Sequence, residues 1–188
     1  MALKPDRSVV GNQTDISYFY NSTAEKGEVL VYSTAGSGAA MDDANAVVTR
    51  PSANPSGEIW AGILLNDVVN KDLTQTHINF QKDEIQQGGK VTLLTGPSGI
   101  VTDMIESGQA PTIGQPLYFR LAKKTLTSDS TETDRGVLTT TAVVDSGVGL
   151  GEILVANEAA NLHGYQVGIA LSVVDADNYL KVEINPSV

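Results

Sequence analysis

Apolar and polar residues alternate most regularly near the end of the printed chain. Odd-numbered positions of 165–173 are aromatic or branched apolar residues, and even-numbered positions of 180–184 are leucine, valine and isoleucine. The segment between them, 175–178, reads DADN. Because a period of two is typical of β-strands and Asp and Asn favour tight turns, the pattern predicts a β-hairpin over 165–184.

Shorter apolar stretches recur along the rest of the chain, separated by turn residues. The run at 58–65 is apolar almost throughout, which favours a central strand buried on both faces. Leu117, Phe119 and Leu121 are expected to share one face of a strand. A GPSG turn at 96–99 predicts a hairpin between the runs at 90–94 and 99–102. Further strands are expected at 15–20, 28–32, 47–49, 137–144 and 152–156.

The repetition of short strands decides the fold class. With 18 glycines and no long helical pattern, the chain is expected to be mainly β, with a small β-barrel or sandwich core and long loops. Residues 1–14 are interpreted as an extended N-terminal arm, and 15–188 as a single β-rich domain with inserted loops or a subdomain at 66–88 and 128–144. The arm is either a frayed terminus or a segment that orders on a neighbouring subunit.

The composition argues against several kinds of binding partner. The formal net charge is -10, which repels polyphosphate, so no nucleic-acid partner is expected. No apolar run reaches the ~20 residues that cross a bilayer, so no membrane partner is expected either. The chain contains no cysteine, which excludes disulfides and cysteine-based metal sites. The first residues lack the apolar core of a secretory signal, and synthesis in a cytoplasm is expected.

Motifs for catalysis or cofactor binding are not recognisable. His77 and His163 are far apart and lack the spacing of a metal site. The glycines of 147–151 are interpreted as turn residues rather than a dinucleotide fingerprint. The pairs Asp42–Asp43 and Glu25–Glu28 could form a carboxylate cluster in space, but solvated loop charges are the expectation. We therefore expect no enzyme activity, no catalytic residues, no cofactor and no metal.

A few residues are candidates for contact with a partner. Trp60 is expected in the core. Tyr18 and Tyr20 share one face of a strand, and that face is a candidate interface. Lys4 and Arg7 make the N-terminal segment locally basic, and they are expected to contact a partner surface or an adjacent protomer.

Four segments resemble the capsid decoration proteins of tailed bacteriophages, also called cement or head-stabilising proteins. They are 27–31 (GEVLV) before a loop of small residues, 111–118 (PTIGQPLY) opening a strand, 123–127 where a strand turns and resumes, and 166–171 (QVGIAL) leading into the terminal hairpin. The resemblance spans about residues 27–184. It implies a small β-barrel or β-tulip domain, a homotrimer, and a position on the exterior of the virion where major capsid protein subunits meet.

The resemblance thus predicts a virion structural protein that binds an assembled capsid and stabilises contacts between its major subunits. An alternative is a phage tail fibre or receptor-binding β domain that recognises a host-surface glycan. A second alternative is a cell-wall hydrolase, which would need a pair of carboxylates, one with a raised pKa, facing each other across a cleft.

Overall fold

The computed structural model describes residues 3–5, 16–33, 47–55, 58–70, 84–125, 133–142 and 166–185, and these ranges contain strands and no helix. The expectation of a mainly β fold with a small barrel is confirmed. In chain order the strands are β1 (Leu3–Pro5), β2 (Ile16–Tyr20), β3 (Val29–Tyr32), β4 (Val47–Thr49), β5 (Trp60–Leu64), β6 (Asp67–Val69), β7 (Glu84–Gln86), β8 (Lys90–Leu94), β9 (Ser98–Thr102), β10 (Pro116–Lys123), β11 (Asp134–Thr139), β12 (Gly168–Ala170) and β13 (Leu180–Ile184).

Five strands form a closed barrel in the order β2-β4-β3-β5-β8, with β8 returning to pair with β2. The β2–β4 pair is parallel and the other pairs are antiparallel. Closure leaves no free edge, which removes the usual site of unwanted strand pairing. The interior is filled by side chains from all five strands, chiefly Tyr18, Tyr20, Leu30, Val48, Ala61, Leu64, Val91 and Leu93.

Six of the remaining strands form a sheet in the order β1-β9-β13-β12-β10-β11. Just after β9 the chain turns back onto the far side of this sheet. Ile105 forms a parallel bridge with Leu138 of β11, and the Leu138 N–H donates to the Met104 carbonyl oxygen at 2.9 Å. These contacts curl the sheet into a half-barrel. Strands β6 and β7 form a separate parallel pair within the region expected to be inserted at 66–88.

One apolar core joins the barrel to the curled sheet. In β3, Val29 and Val31 belong to this shared core, whereas Leu30 between them faces the barrel interior. Strands β3 and β11 come so close that a Cβ added at Gly136 of β11 would lie 2.0 Å from the carbonyl oxygen of Val29 in β3. Only glycine permits this approach, which fixes where β11 crosses the barrel.

The expectation of a doubly buried strand at 58–65 is confirmed for 60–64, which form β5 and are all buried, but Ile59 is 55% exposed. Trp60 is 8% exposed and belongs to the shared core, as expected. Gly62 has φ +152°, and a Cβ there would lie 2.9 Å from the Leu93 Cβ, so glycine is required both by the backbone and by the space. The ladder between β3 and β5 shifts register beside it, at Leu30/Val31.

The predicted hairpin around 96–99 is wrong. Strand β8 pairs with β2 and β5 in the barrel, whereas β9 pairs with β1 and β13 in the sheet. The turn residues do redirect the chain, but they carry it from one sheet to the other. Local turn chemistry does not determine the partner of a strand, because pairing depends on which distant surface the apolar face can cover.

The terminal hairpin is confirmed, with β12 antiparallel to β13. Its turn is held by Asp175, whose Oδ1 accepts the N–H of Asp177 at 3.0 Å and that of Tyr179 at 2.8 Å. In the first half of the hairpin, residues 166–173, the alternating apolar residues nevertheless do not all face the core. Leu171 and Val173 are 44% and 59% exposed.

Glycine and alanine occupy the buried face of this half instead. A Cβ at Gly168 would lie 2.2 Å from the Glu183 carbonyl oxygen, so the approach of the two strands leaves no room for a side chain there. Val167 is also buried in the shared core, whereas Leu171 and Val173 lie on the outer side.

Candidate functional site

A fully buried carboxylate lies where the barrel meets the curled sheet. Glu28 precedes β3 and has no exposed surface. Its Oε2 accepts Arg50 Nε at 2.7 Å, and its Oε1 accepts Arg50 Nη2 at 3.1 Å and Arg135 Nη1 at 2.8 Å. The backbone N–H of Glu25 also donates to Oε1, at 2.8 Å. Since Arg50 follows barrel strand β4 and Arg135 lies in sheet strand β11, one carboxylate binds both halves of the molecule.

A second set of charges continues from the first. Lys124, 8% exposed, directs its Nζ to Asp103 Oδ2 at 3.0 Å and to Glu25 Oε1 at 3.1 Å. Asp103 is 4% exposed in its side chain, and its Oδ1 has no hydrogen-bond partner. Burial raises the pKa of Asp103, and the Lys124 ammonium opposes that rise without cancelling it.

These residues form what we call the junction network: Glu25, Glu28, Arg50, Asp103, Lys124 and Arg135. With three acidic and three basic groups, its formal charge is zero. Tyr20 of the barrel faces it, and burial together with the Glu28 carboxylate raises the pKa of that phenol to about 12. Directional ion pairs of this kind add geometric specificity to a hydrophobic contact that has none of its own.

A shallow cavity of about 320 Å³ opens beside the junction network. Three of its polar lining residues already bind groups within the protein. Asp67 Oδ1 accepts the backbone N–H of Lys26 at 2.7 Å, while Glu25 and Arg135 belong to the network. The lining residues are Thr23, Ala24, Glu25, Asp67, Val68, Val69, Glu84 and Arg135. Because Glu25 and Asp67 bind donors within the protein, the cavity is interpreted as part of the structural joint between barrel and sheet.

Three large apolar side chains are exposed on the curled sheet, and we call them the hairpin patch: Ile113, Leu171 and Val173. Their exposed fractions are 72%, 44% and 59%. The turn that carries Ile113 is bound to the hairpin, because the Gly114 N–H donates to the Ala170 carbonyl oxygen at 2.8 Å. Exposed large apolar side chains on adjoining segments are a candidate protein contact surface.

A second apolar pair is exposed on the barrel. Tyr32 and Ile59 are 40% and 55% exposed, and the Tyr32 N–H donates to the Ile59 carbonyl oxygen at 3.0 Å. The Tyr32 ring is fixed by an edge-to-face contact with Tyr18, with centroids 5.6 Å apart, and by a hydroxyl–hydroxyl hydrogen bond of 3.1 Å. This pair matches the hairpin patch in exposure but belongs to the other half of the molecule.

The residues that the sequence suggested for partner contact do not gather in one place. Tyr18 and Tyr20 lie in the barrel interior at 8% and 1% exposure, so their positions give no support to an interface role. Lys4 lies in β1, opposite Val101 of β9. Arg7 is outside the described residues, as are Asp42, Asp43, His77, His163, the glycines of 147–151 and the strand expected at 152–156.

The junction network was missed because its members are scattered over more than a hundred positions. Glu25 and Glu28 do come together. The expectation of solvated charges is nevertheless wrong for Glu28, which is wholly buried and forms ion pairs with two arginines. One signal was present in the sequence: Glu28 directly adjoins the apolar run of β3, so the fold had to place an acid beside the core. Its partners could not be identified without the pairing of distant strands.

Neither a protein-family model, nor a curated protein sequence, nor a solved structure matches the chain. The resemblance to decoration proteins therefore rests on the residues that carry it. Within the described ranges, no three acidic, histidine or cysteine side chains gather in a way that could hold a metal ion. A search of the same ranges for membrane-spanning helices found none.

Proposed function

We propose that this chain is a virion structural protein that binds the exterior of an assembled phage capsid and stabilises contacts between major capsid protein subunits. The resemblance supports this role through segments that fall on strands of the fold. Residues 27–31 lead into β3, 111–118 open β10, and 166–171 with 180–184 build the terminal hairpin. The same segments thus supply the shared core and the surface next to it.

The hairpin patch is the observation that carries the proposal. Its three apolar side chains stand on a turn and a hairpin that are hydrogen-bonded to each other, so the surface is presented by fixed backbone. Asp175 and Asp177 are exposed at the hairpin tip. An apolar centre with a polar rim is the usual arrangement of a protein-binding surface.

A decoration protein stabilises a shell by mass action, since it binds the assembled lattice and not the free subunit. Several copies acting together convert weak single contacts into tight attachment. We propose a homotrimer as the attaching unit, because trimers place equivalent patches around the local symmetry axes of a shell. The joint between barrel and sheet supports this role, since the patch keeps one orientation relative to the rest of the molecule.

Cosedimentation with shells assembled from the major capsid protein of the same genome tests the proposal. The chain should bind at a fixed copy number per shell. Val173→Asp, which places a charge in the patch, should weaken binding at least about tenfold, the equivalent of 1.4 kcal/mol. Ile59→Asp is the matched control, since Ile59 is 55% exposed but lies on the barrel, and its binding should stay within about twofold.

Other results of this experiment would lead to different conclusions. Failure of the unmodified chain to bind shells would overturn the proposed function, and binding to a glycan array would then favour the receptor-binding alternative. If the chain binds but Ile59→Asp is the damaging variant, attachment occurs through Tyr32 and Ile59 on the barrel.

A further inference from the structure

We propose that β1 is an exchangeable strand, and that the edge of β9 on one copy of this chain accepts β1 from a second copy. The observation behind this is the position of β1 at the outer edge of the six-stranded sheet. Because the acceptor edge is identical in every copy, the β1 strand of a neighbour fits it with the same register. This inference is independent of capsid binding.

The acceptor edge is held in place without β1. On its other side, β9 pairs with β13 through five register pairs, from Leu180↔Thr102 to Ile184↔Ser98. By contrast, β1 contributes three pairs, and one of its residues, Pro5, has no N–H to donate. Removal of β1 would therefore leave an ordered strand with an unpaired edge, which is a template for strand addition.

Connectivity permits the exchange. β1 belongs to the curled sheet, whereas the next strand, β2, belongs to the barrel, and ten residues (6–15) separate them. Ten residues can span up to about 35 Å when extended. Exchange keeps every β1–β9 pair. It loses only the advantage that β1 is tethered to its own acceptor edge, where its effective concentration is about 1 mM. Exchanged copies should therefore become abundant when chains are crowded to a similar concentration.

The natural absence of cysteine makes the test direct. A Lys4→Cys chain and a Val101→Cys chain are mixed at about 1 mM and oxidised gently. Opposed residues of an antiparallel pair have Cα atoms about 5 Å apart, which suits a disulfide. Exchange should give an inter-chain disulfide between the two introduced thiols, located by peptide mass mapping, and its yield should fall on dilution to about 10 µM.

The matched control replaces the acceptor by Lys181→Cys. Lys181 also lies opposite Val101, but on the β13 side of β9, so it is about 9.6 Å from Lys4 and out of disulfide range. A mixed yield equal to this control would overturn the proposal. So would failure of the double variant Lys4→Cys/Val101→Cys to close a disulfide within one chain, since β1 would then not occupy the edge.

Discussion

The buried carboxylate at the junction gives the sharpest stability prediction. Glu28→Gln keeps the shape of the side chain but removes its charge, and it turns an amide NH₂ towards guanidinium donors. Four hydrogen bonds end on the two carboxylate oxygens. Breaking one side of a buried ion pair typically costs about 3–5 kcal/mol. Because Arg50 and Arg135 remain 26% and 24% exposed, water can partly replace the lost partner, and we expect about 3 kcal/mol.

Urea denaturation followed by circular dichroism measures this loss. With a denaturant slope of about 2 kcal/mol per M, the midpoint of Glu28→Gln should fall by about 1.5 M. Glu183→Gln, an exposed position on β13, is the control and should shift the midpoint by less than about 0.3 M. A shift of Glu28→Gln no larger than that of the control would refute the reasoning, because it would mean that the carboxylate is solvated. Combination with Arg135→Gln should reveal a coupling energy of about 1 kcal/mol or more.

Two further predictions concern the same joint. Since burial raises the pKa of Asp103 despite Lys124, the folded state binds a proton more readily than the unfolded state, and ionisation of this group reduces stability as pH rises through its folded pKa. The stability of the unmodified chain relative to Asp103→Asn should therefore increase from pH 7 to pH 4.5 in paired urea titrations, and a decrease would contradict the assignment. Gly136→Ala should lower the free energy of unfolding by at least about 3 kcal/mol, since its Cβ would lie 2.0 Å from the Val29 carbonyl oxygen. Gly99→Ala is the control: its Cβ would meet open space, and the free energy of unfolding should change by less than about 0.5 kcal/mol in the same assay.

Strand positions were largely predictable because a strand repeats every two residues. Leu117 and Phe119 are buried as their alternation indicated, and so are the even-numbered apolar residues of β13. Choice of partner was not predictable. The turn at 96–99 looked like a hairpin because turn residues report local backbone direction, while the pairing of β8 and β9 is decided by surfaces far away in sequence.

The candidate surface was obscured for a related reason. An alternating pattern indicates two faces but does not say which one is buried, and in β12 the small residues Gly168 and Ala170 face the core. Leu171 and Val173 are exposed. For Tyr18 and Tyr20 the error was the opposite one: they fill a closed barrel. That barrel closes only through β8, which β6 and β7 separate from β2–β5 in the chain.

The joint between barrel and sheet connects these observations. Hydrophobic burial holds the two halves together but is not directional, so the shared core alone would tolerate small rotations. The junction network adds bonds with defined angles across that core, and Gly136 adds a steric contact that permits one crossing point. The hairpin patch on the sheet is consequently held in one orientation relative to the barrel. If the proposed attachment to a symmetric shell is correct, loosening this joint should reduce binding even when the hairpin patch is intact, because the patches of a trimer would no longer keep one orientation. Glu28→Gln should therefore weaken cosedimentation under conditions in which the variant remains folded. Full binding by a folded Glu28→Gln chain would show that the two halves need no fixed orientation for attachment.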